Sequence, residues 1–432
     1  MSERVFDTVG KKLLVLGGTS SREIVEQAKR MGVYCIVADI EETDPGKEIA
    51  DEAIYMSTTD FEGISRLIAE KHIDGVFCGP SEFNLQNVMK VCEQNGLPFY
   101  ATQKQWNICQ NKASFKELCR KFDVPCVPEY KLTEAFLEAD LEQIRYPVIV
   151  KPVDAGSSRG ISVCWNEAEL REAVPKAIAV SKEKKFLVEK YIRCDYGFGS
   201  RYIANDGEIY LSAVCDRYTV DEPGGKALIS SGAVFPSKKI DEYIEKINSQ
   251  VIAMFKSIGI RNGTFFMQAL FDEEDNQIYF HEMGLRLSGG LIFSMLEASC
   301  GYNDVQMMIR YALGGPMVTE EELQKIDPYM HGRFIGSLTI PLKSGVVGKI
   351  EGMSALRADA RVLDCAQYYR TGDVVKPESI GTLAQHFCRV KMMTNSVEEY
   401  KSMIEWVQSV VKVFNADGEN MIYRSFDVNR MR

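Results

Sequence analysis

The pattern of residues 11 to 100 limits this chain more than any other feature. Short β-branched runs alternate with amphipathic stretches: KKLLVLGG, SREIVEQAKRMG, VYCIVADI, FEGISRLIAEKH, IDGVFCGP, LQNVMKVCEQNG and LPFYAT. Hydrophobic period switches back and forth between strand and helix, which predicts an α/β unit with a parallel sheet covered by helices on both faces. Ligands of such sheets sit at the carboxyl ends of the strands, here Gly17 to Ser20, Asp39 and Gly79 to Glu82. GGTSSRE at the first strand-to-helix turn invites a dinucleotide reading, but it lacks the G-x-G-x-x-G spacing. A tight turn that needs small residues explains it better. A nicotinamide-dependent oxidoreductase stays open as an alternative, to be decided by NADH binding.

Composition narrows the partner. With 51 Lys and Arg against 61 Asp and Glu, the formal net charge is −10, and no basic run exceeds two residues. That removes the electrostatic footprint of a nucleic-acid binder and any polybasic membrane patch. No stretch approaches the roughly 18 apolar residues of a membrane span. The expected partner is a small molecule. At 432 residues, 45% apolar and 26% charged, the chain predicts a globular protein of several domains. Its twelve cysteines form no C-x-x-C pair, so they read as buried free thiols in a cytoplasmic protein, with no zinc site.

Chemistry-bearing segments follow in order. NICQNKASFKELCRKFDVP (107–125) reads as a helix with Lys112 and Lys116 one turn apart on one face. In YPVIVKPVDAGSSRGISV, a strand ends at Lys151-Pro152, passes through small residues and re-enters a strand at Ile161. Such a hairpin lies flat over phosphates, with backbone N–H groups and Lys151 facing the oxygens; it also reads as a plain flexible hairpin. FLVEKYI (186–192) is a strand bearing Glu189, and RYIANDGEIYLSAV turns at Asp206-Gly207. GTFFMQALFDEEDNQIYFHEMGLRLSGG (263–290) gives two strands around an acidic turn, closing on Glu282 and Arg286. His281 precedes Glu282, and strand alternation predicts that it faces the other way and packs. Residues 334 to 432, strand-rich with one amphipathic helix, read as a separate α+β unit.

This ordered set resembles the ATP-grasp superfamily of carboxylate-activating ligases: a Lys-bearing helix, PVIVKP with a Gly/Ser loop, VEKYI, then E-x-x-x-R-x-x-G-G. It is most similar to the carbamoyl-phosphate-synthetase and biotin-carboxylase-like branch and to amino-acid ligases that make dipeptides. The resemblance implies a pre-ATP-grasp α/β domain over 1–105, an α+β ATP-grasp domain over 106–325 with its lid about 126–193, and a C-terminal α+β domain over 326–432. It implies ATP and Mg²⁺, with Mn²⁺ as a possible substitute, small carboxylate and amine substrates, and dimerisation as a common habit of the family.

Carried over by position, Lys112 and Lys151 contact the nucleotide phosphates, and Ala155, Gly156, Ser157, Ser158, Arg159 and Gly160 form the lid loop. Glu189 with the backbone of Lys190, Tyr191 and Ile192 grips the adenine, and Asp195 stands nearest the place of a ribose-binding acid. Arg286 and Lys151 are the catalytic cations, with Arg286 directed at substrate or acyl phosphate; an ion pair is its plain structural reading. Ser288, Gly289 and Gly290 offer backbone N–H groups to the acyl phosphate. The family commonly places two magnesium ions on a Glu and a Glu-x-Asn; the matching positions here are Gln268, Glu282 and Gly284. Glu282 with the Gln268 carbonyl is the expected metal set. The implied activity is an ADP-forming carboxylate–amine ligase acting through an acyl phosphate. A degenerate nucleotide-binding regulatory protein and a carboxylase or carbamoyl-phosphate-type enzyme are the alternatives. Glu82, Arg201, Arg217 and Arg333 remain unranked substrate candidates.

Overall fold

A computed structural model describes residues 6–155, 160–192, 196–220 and 229–431. The expected parallel sheet is present, in the order β3-β2-β1-β4, with β1 Lys12–Leu16, β2 Tyr34–Asp39, β3 Glu52–Tyr55 and β4 Gly75–Phe77. Residues Leu13 to Leu16 and Cys35 to Ala38 are fully buried, as central strands covered on both faces require. The helices α1 Ser21–Arg30, α2 Phe61–Lys71 and α3 Glu82–Asn95 flank them. Asp60 and Ser81 cap α2 and α3 by accepting from the N–H groups of Gly63 and Asn84.

Two details differ from the sequence pattern. LPFYAT forms no strand; Tyr100 is instead buried and donates its hydroxyl to the carbonyl of Leu285 at 3.0 Å. The fourth strand is β3, whose EAIY alternates half-buried and exposed at the sheet edge, a weaker signal than the fully buried runs.

Two helices lead on, α4 Gln103–Gln110, closed by a Thr102–Gln105 capping box, and α5 Lys112–Lys121. A small antiparallel sheet follows, in the order β5-β8-β6-β7, from β5 Glu129–Tyr130, β6 Val148–Pro152, β7 Ser162–Cys164 and β8 Phe186–Lys190. Together with the helix Glu167–Val180 it has its own core, including Val148, Val150, Leu170 and Val188. The main core runs continuously through the rest of the molecule.

An eight-stranded antiparallel sheet carries most of the remainder. Its first six strands, in spatial order, are β13 Gln277–Gly284, β12 Gly263–Asp272, β9 Gly197–Asn205, β10 Glu208–Val220, β11 Ile229–Phe235 and β14 Phe334–Pro341. His386–Thr394 and Val362–Gln367 complete it. Three strands of the last hundred residues therefore extend the sheet of the middle of the chain, while Gly345–Val346 with Val374–Val375 and Lys349–Glu351 with Lys412–Phe414 form two small two-stranded sheets. Among the described residues, no helix is long and apolar enough to cross a membrane.

The turn GGTSSRE is occupied from within. The carboxylate of Asp44 accepts from the Gly18 N–H at 2.7 Å and from the Ser21 hydroxyl at 2.6 Å. A Cβ on Gly17 would lie 2.6 Å from Asp44 and 2.7 Å from Asp39. The anion that the start of α1 favours is thus a side chain of the protein itself, which favours the tight-turn reading over a dinucleotide.

Candidate active site

The small antiparallel sheet and α5 bring two lysines to one acid. Glu189 on β8 stands opposite Ile149 of β6, which puts Lys151 on its diagonal on the same face. Lys151 Nζ lies 2.6 Å from Glu189 Oε2, and Lys116 Nζ lies 2.6 Å from Oε1. All three side chains are buried. Burial alone would raise the Glu189 carboxyl, but Lys151 and Lys116 outweigh it and hold it below its ordinary range. This differs from the expectation that the Glu189 carboxylate grips adenine. An acid so enclosed has to be paired, and both its oxygens are taken. Lys190 and Tyr191 also use their amides within the fold, donating to the carbonyls of Pro128 and Pro147.

Lys112 opens α5, where its ammonium donates to the carbonyl of Ala155 at 2.6 Å. That places it at the mouth of the loop that joins β6 to β7. Burial, then the charge of Lys151, lowers its affinity for a proton, while Glu282, Glu82 and Glu189 act in the opposite sense. Lys190 turns away to Asp272 at 2.7 Å and Asp275 at 2.8 Å, tying the lid to the β12–β13 turn. Gly156 to Arg159 and Asp195, expected in the lid loop and at the ribose, lie outside the described residues.

The facing surface is the open face of β10, β9, β12 and β13. Gln268 and Glu282 are direct cross-strand partners, so their side chains share this face. One step further along the hairpin, Ala269 pairs with Phe280, which leaves His281 as the extra residue of a bulge. Phe280 points into the core, so the bulge sets His281 on the same face as Glu282. Strand alternation failed here because one residue was inserted into the ladder. Burial, then the charges of Lys151 and Arg217, push His281 down to about 3, so its imidazole is neutral at physiological pH.

Arg217 of β10 belongs to this surface. Its Nη1 donates to Gln268 Oε1 across β9. The lane it uses is kept clear by glycine: a Cβ at Gly199 would come within 3.3 Å of Arg217 Cδ and 3.1 Å of Cys215 Sγ. Gly284 is held small from the other side, because a Cβ there would lie 2.5 Å from the Phe266 ring. That ring also lies beneath Arg286, 5.0 Å from its guanidinium.

Arg286 itself donates to Glu82, 2.8 Å from Nη2 and 3.3 Å from Nε, and to the Leu287 carbonyl. The ion pair read as its plain structural role is thus present, and it links the last turn of the hairpin to the parallel-sheet domain. Beside it, a water-sized cavity of about 10 Å³ is lined by Arg201, Ser288, Thr264 and Asp304 among others. Asp304 Oδ1 and the Thr264 hydroxyl face no partner in it. Burial pushes the Asp304 carboxyl up to about 6, against the pull of Arg201. The Arg333 guanidinium donates to Asn395 at the surface, away from these groups.

A pair of divalent ions does not fit these residues. Gln268 offers no charge and its oxygen already accepts from a guanidinium, Gly284 has no side-chain oxygen, and Phe266 fills the space where one would project. Among the described residues, no group of three or more His, Cys, Asp or Glu side chains is placed to hold a metal. Glu282 remains as one carboxylate, which suffices for a single magnesium completed by water and phosphate. Sequence reading missed the Lys116–Glu189 pair, the Arg217–Gln268 contact and the turn of His281. The glycines of GFGS were the available signal for the second.

A small antiparallel lid, bearing lysines that face an antiparallel platform with a hairpin acid, defines an ATP-grasp fold. Residues 111–320 match the family model of the carbamoyl-phosphate synthase L chain ATP-binding domain. The chain is 25% identical over 315 residues to a formate-dependent phosphoribosylglycinamide formyltransferase of Sulfurisphaera tokodaii, covering 71% of this chain and 77% of the relative. Among solved structures it superposes on an L-amino acid ligase from Bacillus licheniformis with a TM-score of 0.76 at 20% identity, covering 95% of this chain and all of the ligase. A biotin carboxylase from Campylobacter jejuni gives a TM-score of 0.74 at 18% identity, over 95% of this chain and 92% of that one.

Proposed function

We propose that this protein is an ADP-forming carboxylate–amine ligase that uses ATP with a magnesium ion. The observation that carries the reading is geometric: Lys112 donates to the Ala155 carbonyl at the mouth of the loop after Lys151, and the β12–β13 hairpin supplies Glu282 with Arg286 just beyond it. Formate is a carboxylate, and formyl transfer to a glycinamide makes an amide, so the relative's name belongs to the same class of chemistry.

In the first step a substrate carboxylate oxygen attacks the γ-phosphorus; the bond to the β,γ-bridging oxygen breaks and ADP leaves. In the second, an amine attacks the acyl carbon, the C–O bond to phosphate breaks, and the amine loses its proton as the amide forms. Neither step needs a side-chain nucleophile. Lys112, Lys151 and Arg286 neutralise and orient oxygens, which is most of what phosphoryl transfer asks of a protein. Magnesium, when bound at Glu282, supplies further charge neutralisation. Ser288, Gly289 and Gly290 follow Arg286 closely enough to serve the acyl phosphate. The alternative of a nucleotide binder without chemistry finds no support in the comparisons.

The test is ADP release across a panel of amino acids and other small carboxylates, with hydroxylamine present to trap acyl phosphate as a hydroxamate. Acid-dependent ADP and hydroxamate are expected. Bound ATP with neither product across a broad panel would sink the proposal.

A further inference from the structure

The platform places a guanidinium where the family's pattern calls for a metal-binding carboxylate. Gln268 is the cross-strand partner of Glu282, and the group it engages is Arg217, which passes beside Gly199 to reach it. The charges are the same either way. A carboxylate with a divalent ion carries a net charge of +1, and an amide with an arginine also carries +1. Had position 268 remained an acid, it would have neutralised Arg217; the amide accepts from it and leaves the cation's charge available. Guanidinium is permanently charged and its fork suits two phosphoryl oxygens at once.

Three surrounding features keep this arrangement fixed. Gly197 and Gly199 provide the lane, with the Arg217 Cβ 3.6 Å from the place a Cβ on Gly197 would take. Phe266 occupies the space over Gly284 and so denies a second ion its other ligand. Glu282 is the cross-strand partner of the residue that Arg217 engages, which links the guanidinium through Gln268 to the one metal ligand that remains.

We propose that Arg217 takes the place of one of two divalent ions, so that this protein handles its nucleotide with a single metal at Glu282 and a fixed guanidinium as the second cation. The inference rests on the reading of this site as a nucleotide site.

The experiment counts metal. Equilibrium titration of Mn²⁺, read by the EPR signal of the free ion, is run with the full chain and a non-hydrolysable ATP analogue whose own binding is measured separately by calorimetry. One Mn²⁺ per bound nucleotide is expected for the wild type, and two for Arg217→Ala/Gln268→Glu/Gly284→Asn/Phe266→Ala, which also supplies the missing ligand and removes the ring in its way. Arg217→Ala alone is expected to keep one ion and to lower turnover by about 100-fold, the scale of losing one preorganised charge at a transferring group. Two ions per bound nucleotide in the wild type would overturn the inference and leave the ligase reading standing. Turnover unchanged in Arg217→Ala would also overturn it. Calorimetry showing no nucleotide bound would remove the underlying reading and this inference together. The wild-type count decides even where the variants fold poorly.

Discussion

Glu189 shows what a single buried charge can do. Its carboxylate joins a lysine of the helix to a lysine of the lid, and removing one partner of a buried pair strands the others. Glu189→Gln should therefore destabilise the protein by about 3–5 kcal/mol at pH 7, measured by urea unfolding. The sign of its pH dependence follows from the lowered carboxyl. The contribution is present above the ordinary value of 4.5 and is lost as pH falls through the still lower folded value. Wild type and variant should converge in acid; a constant gap would refute the pairing. Lys151→Ala should behave differently, because Lys116 still pairs the acid: a smaller stability loss, with nucleotide binding crippled. A Lys151→Ala enzyme with wild-type kinetics would remove that lysine from the site. Asp304 has the opposite sign. Raised to about 6 from 3.8, it binds a proton more tightly in the folded state, so stability falls as pH rises between those values. Asp304→Asn should gain up to about 3 kcal/mol at pH 7, at 1.36 kcal/mol per unit, and nothing near pH 3.5. Equal effects at both pH values would show that burial of the charge is not the cause.

The β12–β13 hairpin decides more of the site than any other element. Its cross-strand register joins Gln268 to Glu282, its bulge turns His281 toward them, and Phe266 closes the space above Gly284. Restoring an asparagine at 284 should overpack this row and cost about 1–3 kcal/mol, shown by a lower Tm. Gly284→Asn/Phe266→Ala should recover part of that loss; if it recovers none, the ring is not the obstacle. The hairpin also shows where sequence reading succeeds and where it stops. Two apolar runs around DEEDN announce a pair of strands, and the tandem lysines announce a helix face. An inserted residue carries no mark of its own, because HEMG reads equally well with or without a bulge, and so plain alternation puts His281 on the opposite face. LPFYAT failed for another reason. Its apolar content was real, but it is used to pack Tyr100 under the loop at Leu285 and not to extend a sheet. Arg217 and Lys116 were visible as cations, yet only the crossing of β9 and the approach of α5 to β8 determine what they touch.

At the scale of the whole molecule, the contrast between two cores organises the behaviour. The parallel sheet, the large sheet and the C-terminal strands share one continuous apolar core, whereas the lid sheet has a small core of its own. The lid is joined to the rest by discrete polar contacts: Lys116 with Glu189, Lys190 with Asp272 and Asp275, and Lys112 with the Ala155 carbonyl. A unit with few apolar contacts to its neighbours opens at lower free energy than the body that carries it. Amides of β6 and β8 should therefore exchange hydrogen faster than those of β1, β2 or β12, although all are hydrogen-bonded strands. ATP added with magnesium should slow the lid strands most, because a ligand held by lysines of the lid and acids of the platform stabilises only the closed pairing of the two. Substituting Lys190→Ala, which cuts the tie to the hairpin turn without touching Lys112 or Lys151, should raise exchange in β8 in the absence of nucleotide and leave β1 unchanged. Uniform protection across lid and body, unaffected by nucleotide, would mean that the two cores unfold as one and that the polar contacts are not what holds the lid in place.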